Sequence, residues 1–228
     1  MSKKGKFIVL DGTDGSGKET QTKILIKKLK EEGFKVEKAD FPQYGTKSAG
    51  LVENYLNGKY GTAEEIGPLI PSIFYATDRY DASFTIKKYL EEGKIVISNR
   101  YISSNMAHQG GKIKNKEKRQ KFFDWLYKLE YGLFNIPKPD LSLILHVSPE
   151  VAQKLVDKKG YRDYIKGKKR DIHEEDINHL KKAEEVYREI AESSDNFRFI
   201  ECTENKNIMS REKIAKKINK EIKTIINS

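Results

Sequence analysis

The stretch Gly12-Thr13-Asp14-Gly15-Ser16-Gly17-Lys18-Glu19-Thr20 restricts this chain more than any other, because of what stands on either side of it. Before it, Phe7-Ile8-Val9-Leu10 reads as a buried strand; after it, apolar residues recur at helical spacing. A glycine-rich turn between strand and helix lets successive backbone N–H groups face one anion. The helix contributes its positive N-terminal end, and Lys18 adds a full charge. Strand, loop and helix in this order read as a cradle for nucleotide phosphates. The pattern is G-x-x-x-x-G-K, but the next position, where a hydroxyl ordinarily serves Mg²⁺, holds Glu19, with Thr20 one residue later.

The rest of the chain repeats the alternation. Thr20 to Glu32 reads as a crossover helix with Ile24, Leu25 and Leu29 inward and Gly33 as its stop, and Val36 to Ala39 as a second strand. Asp40-Phe41-Pro42-Gln43-Tyr44-Gly45 is a punctuated loop with two aromatics. A short helix over Leu51 to Leu56 precedes a long one from about Pro68 to Glu92. Ile95-Val96-Ile97-Ser98 is a strand that places Arg100 at a carboxyl edge, where ligands gather in open α/β sheets. Lys114 to Phe134 predicts a helix with Phe122, Phe123, Leu126 and Leu129 on one face, and Trp125 is read as core or subunit contact in the same way. Leu141 to Val147 and Phe197 to Ile200 supply two more strands. The run from Lys154 to Arg170 is basic, is interrupted by Gly160 and Gly167, and resists a regular assignment. Asp171-Ile172-His173-Glu174 resembles a capping box before a helix reaching Ser194. A basic amphipathic helix over Arg211 to Ile226, with Ile214, Ile218, Ile222 and Ile225 inward, ends the pattern. Five strands alternating with helices predict an α/β fold, a five-stranded parallel sheet flanked by helices, in one domain over residues 1–228.

Composition excludes more than it selects. The single cysteine, Cys202, rules out an internal disulfide framework and a cysteine-rich zinc site, and suits a cytoplasmic setting. No apolar run reaches membrane-spanning length, so no membrane partner is expected. A net charge of +10 is compatible with nucleic acid, an anionic surface or an anionic small substrate. The basic residues are mostly interspersed with acids and no nucleic-acid module appears, so nucleic acid is not expected as a partner either.

Taken together these segments resemble the thymidylate kinases, within the P-loop nucleoside monophosphate kinases, over nearly the whole chain. The resemblance rests on the loop with Asp14 inside it, Phe41-Pro42-Gln43-Tyr44, Tyr75-Ala76-Thr77-Asp78-Arg79, Asn99-Arg100-Tyr101-Ile102-Ser103-Ser104-Asn105, and the basic run followed by Asp171 to Glu174. It implies phosphoryl transfer from ATP to dTMP with Mg²⁺, and a homodimer for which the helix carrying Phe122 to Leu133 is a candidate contact. The acceptor-binding region falls at about 40–110 and a short lid at about 158–172.

The roles implied are these. Gly12 to Thr20 hold ATP; Asp14 accepts a hydrogen bond from the acceptor's 3′-hydroxyl; Tyr75 stacks on the base and Arg79 reaches it. Arg100 holds the acceptor phosphate, for which a rigid fork suits better than lysine. Phe41, Pro42 and Tyr44 form the acceptor loop, while Asn105, His108 and Gln109 close on base and sugar, with His108 where most relatives have Tyr or Phe. Lys18, Arg100 and Arg162 or Arg170 from the lid supply catalytic cations, because the loop itself contains no arginine. Each has a bland alternative: Tyr75 as a core aromatic, Arg79 paired with Asp78 or Asp81, His108 as a structural histidine, the basic run as a solvated face. Two departures stand out. Glu19 replaces Ser or Thr and Asn99 replaces Asp, so the expectation is a charge-conserving swap in which Glu19 serves Mg²⁺ and Asn99 does so through water. A solvent-facing Glu19, a non-catalytic nucleotide-binding protein and a kinase for another monophosphate stay open on these residues.

Overall fold

The computed structural model describes residues 4–148, 151, 152, 155, 177–193, 195–205 and 207–226. Five strands, β1 (Lys6–Asp11), β2 (Val36–Asp40), β3 (Ile95–Asn99), β4 (Leu141–His146) and β5 (Phe197–Glu201), form one parallel sheet in the order β2-β3-β1-β4-β5. Registers such as Ile8 against Ile97 and Leu10 against Leu143 align the strands so that their carboxyl ends fall together. Helices α1 (Lys18–Glu31), α2 (Gly50–Leu56), α3 (Leu69–Glu91), α4 (Ile102–Gly110), α5 (Lys116–Tyr127), α6 (Ile177–Ser193) and α7 (Arg211–Ile226) cover it.

The period of two along the strands builds two cores. Phe7 and Val9 of β1 pack with Val96 and Ile144 against Tyr101, Met106, Phe122, Leu126 and Tyr187. The alternate residues Ile8 and Leu10 pack with Ile97 and Leu143 against Leu25, Leu29, Ile214, Ile218 and Ile222. A strand buried on both faces reads as a continuous apolar run, which is why β1 is Phe-Ile-Val-Leu. Successive strands lie to one side of β1 and then, from β4, to the other; the reversal opens a crevice at the carboxyl ends of β1 and β3.

Three expectations change. The helix predicted from Lys114 to Phe134 is α-helical only to Tyr127 and widens into a π-helical turn, Lys128–Leu133, that buries Glu130 and leaves Leu129 half-buried. Phe122, Phe123 and Leu126 turn into the core, at 4 %, 4 % and 0 % exposure, which removes that face as a subunit contact. On α7 Ile226 completes the buried stripe, while the expected Ile225 is half-buried and packs against the same core. A small hairpin, β6 (Thr203–Glu204) and β7 (Asn207–Ile208), was not expected; it turns through Asn205 at φ 51°. The capping-box segment and most of the basic run lie outside the described residues.

Candidate active site

The glycine turn after β1 is built by conformations other residues avoid. Gly12, Gly15 and Gly17 have φ of 132°, 83° and 84°. A Cβ at Gly12 would stand 2.2 Å from the Leu145 carbonyl oxygen, and one at Gly15 2.2 Å from that of Ala152, so the backbone of the neighbouring strand and segment fixes both identities. Lys18, 7 % exposed, folds back to donate to the carbonyls of Gly12 (2.9 Å) and Thr13 (2.8 Å). That contact holds the cation over the loop.

Beneath the loop lies a residue the sequence reading missed. Asp11, fully buried, accepts from the Gly12 N–H (2.8 Å), Ser103 Oγ (2.5 Å), Ser104 Oγ (2.6 Å) and Tyr187 OH (2.7 Å). One carboxylate thereby ties the loop to α4 and α6. Burial and the Asp11 charge push the Tyr187 phenol well above its ordinary range, so it stays a donor.

Arg100 follows β3 with φ 67°, a left-handed conformation that costs a non-glycine residue about 1–3 kcal/mol. Its amide donates to Leu10 O (2.9 Å) and its carbonyl accepts from Ser98 Oγ (2.7 Å), which hold it there. The side chain donates to Asp14 Oδ1 (2.6 Å) and Ser104 Oγ (2.9 Å) and lies 3.5 Å from the Gly12 carbonyl and from His108 Nε2. Burial opposes its charge, but the carboxylates of Asp14 and Asp11 outweigh that and hold it firmly protonated. His108 is pushed well below the ordinary imidazole range by burial, then by Arg100 and by His179, whose Nε2 lies 3.2 Å from its Nδ1. His108 is therefore neutral at physiological pH.

These groups line one cleft of about 1060 Å³ running from the loop past Arg100 to α3. Asp14, Lys18, Phe41, Pro42, Tyr44, Tyr75, Arg79, Asn99, Arg100, Asn105 and His108, all singled out from sequence, border it. Gln109 does not: it is fully buried on α4, and among the described residues neither amide atom has a partner. The Asn105 amide donates to Ser72 O (3.1 Å) while its Oδ1 is buried and has no partner among the described residues. Tyr75, half-buried, meets Tyr55 edge-on at 6.4 Å. Arg79 pairs with neither Asp78 nor Asp81, as the bland reading had it, but with Glu130, at 2.5 Å from both Nε and Nη2. Asp78 holds the loop after β2 instead, accepting from Gln43 N–H (2.9 Å) and Ser48 Oγ (2.6 Å).

At the two departures, Glu19 borders the mouth of the cleft, yet its carboxylate is 65 % exposed and bonded to Lys23 at 2.6 Å. Asn99 donates through Nδ2 to Asp40 Oδ1 (2.7 Å), and its own Oδ1 is a buried oxygen without a partner among the described residues. Asp40 is thus a carboxylate next to Asn99 that the sequence reading did not consider. Arg162 and Arg170 lie outside the described residues.

A sequence model of the thymidylate kinases matches residues 10–214. The chain belongs to the thymidylate kinase family. It is 30 % identical to a thymidylate kinase of Mycobacterium tuberculosis over 186 residues, which are 81 % of this chain and 85 % of that one. Against the Plasmodium falciparum thymidylate kinase it is 30 % identical over 203 residues, 82 % of this chain and 89 % of that one. Its fold is that of a solved Candida albicans thymidylate kinase, with a TM-score of 0.73 at 23 % identity, over all of this chain and 95 % of the other. As a member of the family the chain is a nucleoside monophosphate kinase that passes a phosphoryl group from ATP to dTMP. Nothing in these likenesses favours a non-catalytic protein.

Proposed function

We propose that ATP binds with its phosphates in the loop Gly12 to Thr20, that dTMP lies in the cleft between Phe41, Tyr75 and Asn105, and that Arg100 stands between the two. The observation that carries this reading is Arg100 itself: a guanidinium on a side chain only 16 % exposed, held in a strained backbone conformation, within 3.5 Å of the loop carbonyl of Gly12 and bonded to the loop carboxylate Asp14. A monophosphate oxygen is already largely anionic near neutral pH, its second pKa being about 6, so attack on the γ-phosphoryl needs no strong base. The transition state is loose and its charge is spread over the transferred oxygens, so alignment and fixed cations do the catalysis. Lys18 and the loop amides hold the donor; Arg100 orients the acceptor phosphate. Asp14 then exchanges part of its bond to Arg100 for the acceptor's 3′-hydroxyl.

Mg²⁺ suits the oxygens present. Magnesium is usually held by one or two carboxylates together with substrate phosphates and water. The Asn99 Oδ1, without a partner among the described residues, and the adjoining Asp40 carboxylate are hard oxygens at the cleft, and Glu19 reaches its mouth. When bound, the ion neutralises phosphate charge. Asn99, Asp40 and Glu19 are the residues proposed to serve it.

The proposed partner is a second copy of the chain. Ile73, Tyr80 and Phe84 on α3, with Leu133 of the π-helical turn, are 37 %, 41 %, 58 % and 75 % exposed and offer an apolar face. Phe84→Lys is expected to shift the mass in solution from dimer to monomer. No helix among the described residues is long and apolar enough to cross a membrane, and the free thiol of Cys202 suits a reducing cytoplasm.

The test of the acceptor assignment is a coupled ADP-release assay with ATP and Mg²⁺, offering dTMP, dUMP, dCMP, AMP, GMP, CMP and UMP separately. Preference for dTMP that Tyr75→Ala and Arg79→Met each erode supports it. Preference unaffected by either refutes the placement of the base.

A further inference from the structure

Glu130 and Arg79 form the most deeply buried ion pair of the described residues, at 0 % and 2 % exposure, and no step above uses the carboxylate. The geometry is a side-on fork: Nε donates to Oε2 and Nη2 to Oε1, both at 2.5 Å. Parallel bonds of this kind fix the plane of the guanidinium as well as its position. The Tyr101 ring lies 5.9 Å from the guanidinium carbon, and the Tyr101 hydroxyl is itself anchored on the Pro137 carbonyl at 3.0 Å. Glu130 is brought to α3 by the π-helical turn Lys128–Leu133, whose end is pinned by Ile136 N–H donating to the Glu130 carbonyl at 3.1 Å.

Burying two charges to hold a helix against a turn is a poor way to gain stability, because apolar residues of the same size do as well or better. The arrangement makes sense if the plane and charge of Arg79 matter. Two of its three nitrogens are taken by Glu130, and Arg79 borders the cleft beside Tyr75 and Asn105. The nitrogen that Glu130 does not engage, Nη1, is a pair of donors with no capacity to accept. A pyrimidine with a 4-keto group meets it with an acceptor; one with a 4-amino group meets it donor to donor.

We propose that Glu130 is a positioning residue for acceptor choice: by fixing the plane and charge of Arg79 it makes the cleft accept 4-keto pyrimidines and refuse 4-amino ones. The inference rests on the reading that Arg79 faces the base. In Glu130→Gln the fork is broken, since an amide nitrogen now opposes one of the N–H groups, while the shape is kept.

The experiment measures kcat and KM for dTMP, dCMP and ATP in the full chain, in Glu130→Gln, Glu130→Asp and Arg79→Met, with melting curves for each. In Glu130→Gln the preference for dTMP over dCMP in kcat/KM is expected to fall by about tenfold or more, mostly through the KM for dTMP, with the KM for ATP unchanged within about twofold. Glu130→Asp keeps the charge on a shorter stem and is expected to lose about threefold or more of the preference; it carries the test if the amide variant fails to fold. A preference that stays within about twofold of the parent in the folded Glu130 variants, while Arg79→Met collapses it, overturns the proposal and leaves Glu130 a purely structural residue. If Arg79→Met also leaves the preference intact, the base-facing reading of Arg79 is what has failed, and the proposal falls with it.

Discussion

Replacing Asp11 by leucine should cost this protein about as much as a large apolar truncation in its core, and the size of the loss follows from its contacts. The carboxylate is fully buried and accepts four hydrogen bonds, from the Gly12 amide, Ser103, Ser104 and Tyr187. Leucine keeps the volume and removes every acceptor. Ser104 and Tyr187 lie 3.1 Å apart and can bond to each other, so the donors left without a partner are chiefly the Gly12 amide and Ser103, with one hydroxyl hydrogen of the remaining pair. At about 1–3 kcal/mol for each stranded buried donor, and allowing for the desolvation of the carboxylate that is no longer incurred, the net loss is about 3–5 kcal/mol. For a chain of this size each kcal/mol lowers the melting temperature by about 2–4 °C, so a drop of about 6–20 °C is expected by scanning calorimetry. Tyr187→Phe removes one bond to a charged acceptor, worth about 1.5–3 kcal/mol, and should lower the melting temperature less, by about 3–12 °C. Both variants should also weaken ATP binding, because the Gly12 amide that Asp11 orients belongs to the phosphate loop. An Asp11→Leu protein that melts within about 2 °C of the parent would show that the four contacts carry no net stability.

Lys112 donates to Tyr55 OH (2.9 Å) and Gly67 O (3.0 Å), and burial lowers its pKa from 10.5 to about 7. Between those values the unfolded chain holds a proton that the folded chain has shed, so stability should rise with pH across that window; the melting temperature of the parent relative to that of Lys112→Met should rise from pH 7 to 9, and a constant difference contradicts this. Gly12→Ala drives a Cβ to 2.2 Å from the Leu145 carbonyl at φ 132°, and calorimetric titration should show ATP affinity reduced by about tenfold or more. Cys202 is buried and its thiol is pushed up to about 12 by burial and by Glu201, so Ellman's reagent at pH 8 should react only after unfolding. Glu19→Thr combined with Asn99→Asp should be more active than either single change, with a lower Mg²⁺ requirement; a double variant no better than the singles removes the swap.

The sheet was legible because its strands are buried on both faces and its helices are amphipathic, two patterns that need no tertiary knowledge. Arg100 was legible for a related reason, as an arginine straight after an apolar strand. The contacts behind these residues were not. Asp11 looks like the last residue of a strand, and its three side-chain partners lie 92 to 176 positions away. Glu130 left a usable signal: it falls four residues after Leu126 and eight after Phe122, a carboxylate on an apolar stripe, and a buried acid at such a place asks for a cation. Arg79 was assigned to the base with only Asp78 and Asp81 as rivals, since local spacing offers only local partners. The β6–β7 hairpin carries no glycine turn, and strands of two residues leave no periodicity to read.

The ion pair between Arg100 and Asp14 joins a residue assigned to the acceptor with a loop assigned to the donor. Whatever one nucleotide does to that pair is felt by the other, and thermodynamic linkage makes the effect symmetrical: if ATP tightens dTMP by some factor, dTMP must tighten ATP by the same factor. On that placement the two substrates are not independent tenants of one cleft. On the proposed placement of the substrates, an inhibitor that fills only the acceptor half and draws Asp14 away from Arg100 should change ATP affinity as well, through the loop to which Asp14 belongs.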